Sequence, residues 1–249
     1  MHVSAFFVFA RWLLALQALL AFPHASAAEP LLQTGDYVTE RGWGTLVIKR
    51  GNGGALNFKL EAMGANAHSC GLRGEIRNGR ATLDGIDKDK PCVVTFTDKA
   101  EGIAVDSVDA PLCRYYCGMR ASFEGLYMKA ASGCTPAALR ATRKEFKALY
   151  ERKDFAAARA QLEPALNHCA KTLDWLETGW MRNDLAITQF RLGDRAACLR
   201  TLEPLAKDAA KSDAQIRDEM VAPTDIENWL PVVKAARTNL KLCAEKAPR

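Results

Sequence analysis

KALYERKDFAAARAQLEPAL, residues 147–166, returns forty residues later as ITQFRLGDRAACLRTLEPLA, residues 187–206. Six positions are identical: Asp154/Asp194, Ala156/Ala196, Ala157/Ala197, Leu162/Leu202, Glu163/Glu203 and Pro164/Pro204. Tyr150 stands where the second copy has Phe190. A period of this size points to stacked helical hairpins, since one hairpin alone cannot bury its apolar face. Each copy predicts a helix that ends near the aromatic, a short turn carrying Asp154 or Gly193-Asp194, and a second helix. Asp at that point is an N-cap, its carboxylate accepting from an orphan backbone N–H. The second helix places Ala158, Leu162, Ala165, Leu166 and Cys169 on one face. Its counterpart places Cys198, Leu202, Leu205, Ala206 and Ala209 there, again one stripe of a 3.6-residue period.

The spacing of Ala158, Leu162 and Ala165 resembles the second helix of tetratricopeptide repeats. The resemblance covers about a third of the chain. Its period is forty rather than thirty-four, the first-helix Trp and Gly are missing, and Pro164 and Pro204 fall inside the second helix. An interior proline removes a backbone bond and kinks a helix. The resemblance implies a solenoid that binds proteins or peptides. The plainer alternative is a set of helices that only caps the other half.

Met1–Ala27 reads as a secretory signal peptide. Arg11 precedes an apolar core over Trp12–Phe22, and Ala25-Ser26-Ala27 is a small-x-small cleavage site. That core is shorter than the ~20 residues a membrane span needs, so the expectation is no stable membrane insertion after cleavage. Residues 29–133 hold thirteen basic and thirteen acidic side chains, and residues 134–249 hold twenty and sixteen. Such a balance carries no nucleic-acid footprint. It leaves an exported chain, periplasmic or secreted, with two modest domains: a disulfide-stapled β domain over 35–130 and a helical-repeat domain over 134–246.

All eight cysteines follow the leader: Cys70, Cys92, Cys113, Cys117, Cys134, Cys169, Cys198 and Cys243. An even number in an exported chain points to disulfides. In the helical half the expected pairs are Cys134–Cys169 and Cys198–Cys243, whose helix ends should meet, with reversed pairings left open because sequence alone does not fix connectivity. Each bridge would stabilise by roughly 3–4 kcal/mol in the chain-entropy model. In the first half, Cys70 and Cys92 precede strands that run the same way. The expected pairs are therefore Cys70–Cys92 and Cys113–Cys117, with Cys70–Cys113 and Cys92–Cys117 as the alternative.

That first half reads as a small antiparallel β barrel or sandwich, making the whole chain α+β. Thr45–Arg50 and Ala55–Leu60 alternate around Gly51-Asn52-Gly53-Gly54, and Leu72–Arg77 and Arg80–Leu83 flank Asn78-Gly79, a strong hairpin signal. Further strands are expected at Cys92–Thr97, Gly102–Ser107 and Ala121–Met128, which gives six to eight in all. The run His68-Ser69-Cys70-Gly71-Leu72, then Cys92-Val93-Val94, Cys113-Arg114-Tyr115-Tyr116-Cys117-Gly118 and Phe123-Glu124-Gly125-Leu126-Tyr127, is similar to disulfide-linked β modules of bacterial periplasmic proteins. Some of those are lysozyme-inhibitor-like. The resemblance implies an inhibitor of a cell-wall hydrolase but carries over no inhibitory residue.

Motifs for chemistry are few. His68 and His168 lie in different halves, each near a cysteine that a bridge would consume, so neither a metal site nor a cofactor is expected. No CxxC, HExxH, phosphate loop or nucleophile elbow is present. Glu124, Asp106 and Asp84 could serve an envelope-polymer hydrolase, a reading that depends on their separation in space. Trp175 and Trp180 are five residues apart and so occupy different helix faces. One fills the core while the other faces a groove with Arg182 and Asp184. Trp and Arg are favoured binding anchors. Trp180 and Arg182 are thus candidate partner-binding residues, as are Tyr115 and Tyr116 beside Arg114. The expectation is a non-catalytic binding protein that engages a protein or peptide partner in the cell envelope. A hydrolase and an assembly scaffold are the alternatives.

Overall fold

The structure is a computed structural model and describes residues 32–245. The leader read over Met1–Ala27 lies outside the described residues. Eight antiparallel strands come first: β1 (Gly35–Thr39), β2 (Gly44–Arg50), β3 (Leu56–Met63), β4 (Ser69–Ile76), β5 (Arg80–Leu83), β6 (Cys92–Lys99), β7 (Gly102–Ser107) and β8 (Gly125–Lys129). Their order is β4-β3-β2-β1-β8-β7-β6-β5, so every strand lies beside its neighbour in sequence and β1 joins β8. This is an up-and-down barrel, nearly closed. Its seam lies between β4 and β5, where Arg77 pairs with Arg80 in an isolated bridge. Asn78 and Gly79 make the tight turn there, both at positive φ as a type I′ turn requires. Strand alternation sends Leu46, Ile48, Phe58, Leu60, Leu72, Val94, Phe96, Ile103 and Val105 inward, where they fill the barrel. Phe58 and Phe96 meet edge to face at 4.9 Å.

Odd strands run one way and even strands the other. The connections after β1, β3, β5 and β7 therefore share one end of the barrel, its mouth. Residues 108–124, between β7 and β8, cross that mouth through a short helix α1 (Ala110–Cys113) and a 3-10 turn (Arg114–Tyr116). The crossing corrects the expected disulfides. Cys70 and Cys92 do begin strands at the same end, but β5 stands between β4 and β6. Two strand spacings are about 9–10 Å, beyond the ~7 Å limit for bridging Cα atoms. The crossing segment instead gives one sulfur to each: Cys117 bonds Cys70 and Cys113 bonds Cys92, with Cα atoms 4.1 and 4.7 Å apart. Neither expected arrangement occurs. The same segment shortens the last strand, because Ala121–Glu124 belong to the crossing and β8 begins only at Gly125. β1, not among the expected strands, closes the ring.

The rest of the described chain is helical: α2 (Pro136–Glu151), α3 (Phe155–His168), α4 (Trp175–Arg191), α5 (Arg195–Ala209), α6 (Asp213–Glu219) and α7 (Pro223–Ala244). Asp154 caps α3 by accepting from Ala157 N, and Asp194 caps α5 from Ala197 N. Ala158, Leu162, Leu166 and Cys169 are buried against α2 and α4, while Cys198, Leu202 and Leu205 are buried against α4 and α7. Cys134–Cys169 ties the ends of the first hairpin, and Cys198–Cys243 ties the start of α5 to the end of α7. Pro164 and Pro204 sit on exposed faces without ending their helices; water can satisfy the carbonyls they free. Arg159 joins the two copies, reaching Glu163 at 2.9 Å and Asp194 at 3.4 Å. A buried amide pair, Asn239 donating to Asn183 Oδ1 at 3.0 Å, locks α7 to α4. None of the described helices is long and apolar enough to cross a membrane.

Candidate functional site

Alternating directions make α2, α4 and α7 parallel. Asn183 and Asn239 meet on α4 and α7, while Cys198 at the start of α5 meets Cys243 at the end of α7. The first turns of α2, α4 and α7 therefore lie together, and the barrel mouth meets them. Two mouth loops make the junction. In the β1–β2 loop, Arg41 N donates to Lys171 O at 2.9 Å. Gly42 there has φ +64, and a Cβ on it would lie 2.5 Å from Thr172 O, so only glycine fits. In the β3–β4 loop, Asn66 N donates to the Asp225 carboxylate at 3.2 and 3.3 Å, and Thr224 N donates back to Asn66 Oδ1 at 3.0 Å. The residue before α7, Ala222, offers no side-chain cap. The barrel thus supplies α7's missing cap from across the junction.

Between these contacts lies a cleft of about 620 Å³. Arg41, Trp43, Met63 and Ala67 line it from the barrel. Arg140 lines it from α2, Asp174, Trp175 and Glu177 from the start of α4, and Asp225 and Asn228 from α7. Arg41 (φ 61) and Ala67 (φ 58) hold left-handed backbone without being glycine, as does Asn66 (φ 59) in the junction. Such conformations cost of order 1–3 kcal/mol and gather at functional sites. Trp43 packs edge-on to the buried Tyr127 with ring centres 5.9 Å apart. Trp175 leans on Trp229 at 5.2 Å yet stays 46% exposed. Trp229 is itself fixed by donating to Asp208 at 2.9 Å. A second cavity of about 480 Å³ adjoins over β2–β4 and shares Gly42, Trp43 and Met63 with the first.

The charges are arranged unevenly. Asp174 accepts from Glu177 N at 2.7 Å and caps α4. Burial pushes the Glu177 carboxyl above its ordinary value and Asp174 adds to the rise, while Arg143 and Arg140 oppose it. Three helix N-termini add partial positive charge at the cleft.

The residues singled out from sequence lie elsewhere. Tyr115 is 67% exposed beside Tyr116 on the crossing segment. Tyr116 braces that segment by donating to Asp84 O at 2.8 Å, and burial, then Asp84, raises its hydroxyl. Arg114 donates to Ala121 O at 3.1 Å and to Met119 O. Trp180 is half-buried in α4. Arg182 donates to Thr201 O on α5 at 3.2 Å, and burial lowers its pKa against the opposing pull of Glu203. Asp184 instead faces Arg143 of α2 at 3.4 Å; burial raises its carboxyl while Arg143 holds it down. Arg182 thus turns to α5 and Asp184 to α2, and neither candidate group lines the cleft. Of the other carboxylates, Glu124 accepts from Ser107 N at 3.3 Å and from its hydroxyl. Sequence reasoning weighed Trp175 but missed Trp43, Arg41, Arg140 and Glu177. Their one local signal is Trp43 set between two glycines. No protein-family model, curated protein or solved structure matches the chain.

Proposed function

We propose that this is an exported, non-catalytic binding protein whose cleft receives a peptide segment of a protein partner in the cell envelope or outside the cell. One observation carries the reading: the cleft between barrel and helices, flanked by Trp43 and Trp175 and walled by strained loops. Tryptophans at the centre of a groove are favoured anchors. The adjoining cavity over β2–β4 suits an extended chain better than a compact metabolite. Four disulfides support an oxidising compartment. The helical half then acts as a tetratricopeptide-like module that shares its ligand with the barrel.

The test is capture from the envelope fraction with the full mature chain, beside Trp43→Ala and Trp175→Ala. The reading expects one partner retained by the native chain and lost by both variants, with their melting temperatures little changed. Retention by both variants would move the interface off the cleft. Turnover of cell-wall fragments by the purified chain would replace the reading with a hydrolase.

A further inference from the structure

We propose that the cleft holds the carboxyl-terminal end of a peptide that also carries a lysine side chain, an inference that rests on the binding reading above. The charged groups in the cleft fall into two sets. Asp174 and Asp225 are occupied by the fold, one capping α4 and the other accepting from Asn66. Arg41, Arg140 and Glu177 are not: among the described residues none of these three side chains makes a hydrogen bond or a close ion pair, although Glu177 feels the charges of Arg143 and Arg140. Arg41 and Arg140 are exposed and Glu177 is half-buried, so a bound ligand can reach all three. A neutral ligand would leave every one bare. A simple anion would pair with the arginines but press against Glu177, and a simple cation would do the reverse. A ligand with separate negative and positive groups satisfies both, which is what a free carboxyl terminus and a lysine ammonium provide.

The details fit this division. A guanidinium fork grips a carboxylate through two parallel hydrogen bonds, and the first turns of α2, α4 and α7 add positive potential around it. Glu177 is half-buried beside Asp174, and its carboxyl stays raised although Arg143 and Arg140 pull it down, so it gains from an ammonium brought close. Trp43 and Trp175 offer apolar faces for the side chain between the two charges. The volume, about 620 Å³, lies in the range of roughly 300–1,000 Å³ usual for small-ligand pockets.

The probe is the tripeptide acetyl-Lys-Leu-Phe with a free carboxyl terminus, titrated calorimetrically and by tryptophan fluorescence. Two blocked forms accompany it, one amidated at the carboxyl terminus and one acetylated on the lysine Nζ. Amidation should weaken binding to the native chain about tenfold, yet change binding to the Arg41→Gln/Arg140→Gln double variant less than about twofold. Lysine acetylation should cost the native chain about fivefold and Glu177→Gln almost nothing. Circular dichroism and melting temperature establish that the variants are folded; all three side chains lie at the cleft surface, outside both cores. Equal binding of free and blocked peptides to the native chain overturns the proposal, as does no binding of the free peptide at millimolar concentration. If that failure comes while Trp43→Ala still abolishes partner capture, only the ligand class is wrong. If capture also survives Trp43→Ala and Trp175→Ala, the binding reading falls with it.

Discussion

Barrel and helices use the same covalent device for different ends. In the helices each bridge joins segments already packed side by side: Cys134 to Cys169 in one hairpin, Cys198 to Cys243 on α5 and α7. In the barrel both bridges hold one irregular segment across the mouth, where backbone pairing is confined to single contacts such as Gly118 N to Ser69 O at 2.8 Å. A staple that reinforces packing differs from one that replaces it. The loops they close span 47 and 21 residues in the barrel and 35 and 45 in the helices. The chain-entropy model therefore gives each bridge a similar worth, roughly 3–4 kcal/mol. The difference should appear in what loosens. Replacing Cys70 and Cys117 by Ala should cost about 4 kcal/mol and also speed hydrogen exchange throughout 108–124. Replacing Cys134 and Cys169 should lower the denaturation midpoint by a similar amount while exchange in α2 and α3 rises only with global unfolding. Equal local loosening in both would erase the distinction.

The two helical copies sharpen the comparison from inside. Leu162 and Leu202 are both fully buried at the same repeat position. Each Leu→Ala change should cost about 3 kcal/mol in chemical denaturation. A clear inequality between them would mean that α7, which packs on the second copy, sets the stability of that end.

How much of this was legible follows from which contacts are local. The repeat carried its own geometry. Asp154 and Asp194 cap because an Asp before an apolar stripe caps wherever it stands, and hairpin ends meet whatever surrounds them. The Cys134–Cys169 bridge followed from the hairpin, and Cys198–Cys243 from expecting the last helix to run back along α5. The barrel bridges depended on how many strands separate Cys70 from Cys92 around a ring. Ring order needs the β1–β8 pairing, and Gly35–Thr39, short and begun by glycine, gives little strand signal. The cleft was hidden for the same reason on a larger scale. Arg41, Trp43, Arg140 and Glu177 are spread over nearly 140 positions and meet only because parallel helices present their first turns to a barrel mouth. Arg182 looked available in sequence because its partner, Thr201 O, is a backbone atom with no side-chain signature.

The junction itself can be broken at one residue. Asn66→Ala removes the α7 cap and puts alanine at φ 59. The expected loss is about 1–2 kcal/mol. Asn66→Gly tolerates the backbone but still lacks the cap, so it should lose less. If both variants melt like the native chain, the cap from across the junction contributes nothing. A smaller effect separates the repeats at their turns. Lys153 holds φ 63 where the second copy has Gly193 at φ 80. Lys153→Gly should relieve left-handed strain and give back part of the gain as unfolded-chain entropy, a net stabilisation of about 0.5 kcal/mol. Gly193→Lys should lose a similar amount, and the same sign for both would mean that the two turns are not equivalent.

The smallest expected change concerns a group that folding leaves worse off. The Glu177 carboxyl is raised by burial, then by Asp174. Its folded state therefore binds a proton more readily than its unfolded state. Stability falls as pH rises through the folded pKa and is recovered below the unfolded one. Glu177→Gln removes that penalty, so it should melt slightly higher than the native chain at pH 7, with the gain vanishing as pH drops below the ordinary glutamate range. A gain that persisted at low pH would trace to packing rather than charge. The scaffold groups, bridges and caps, all lose stability when removed. A side chain whose loss stabilises the fold is held for something other than the fold, and Glu177 sits where that something would be a ligand's ammonium.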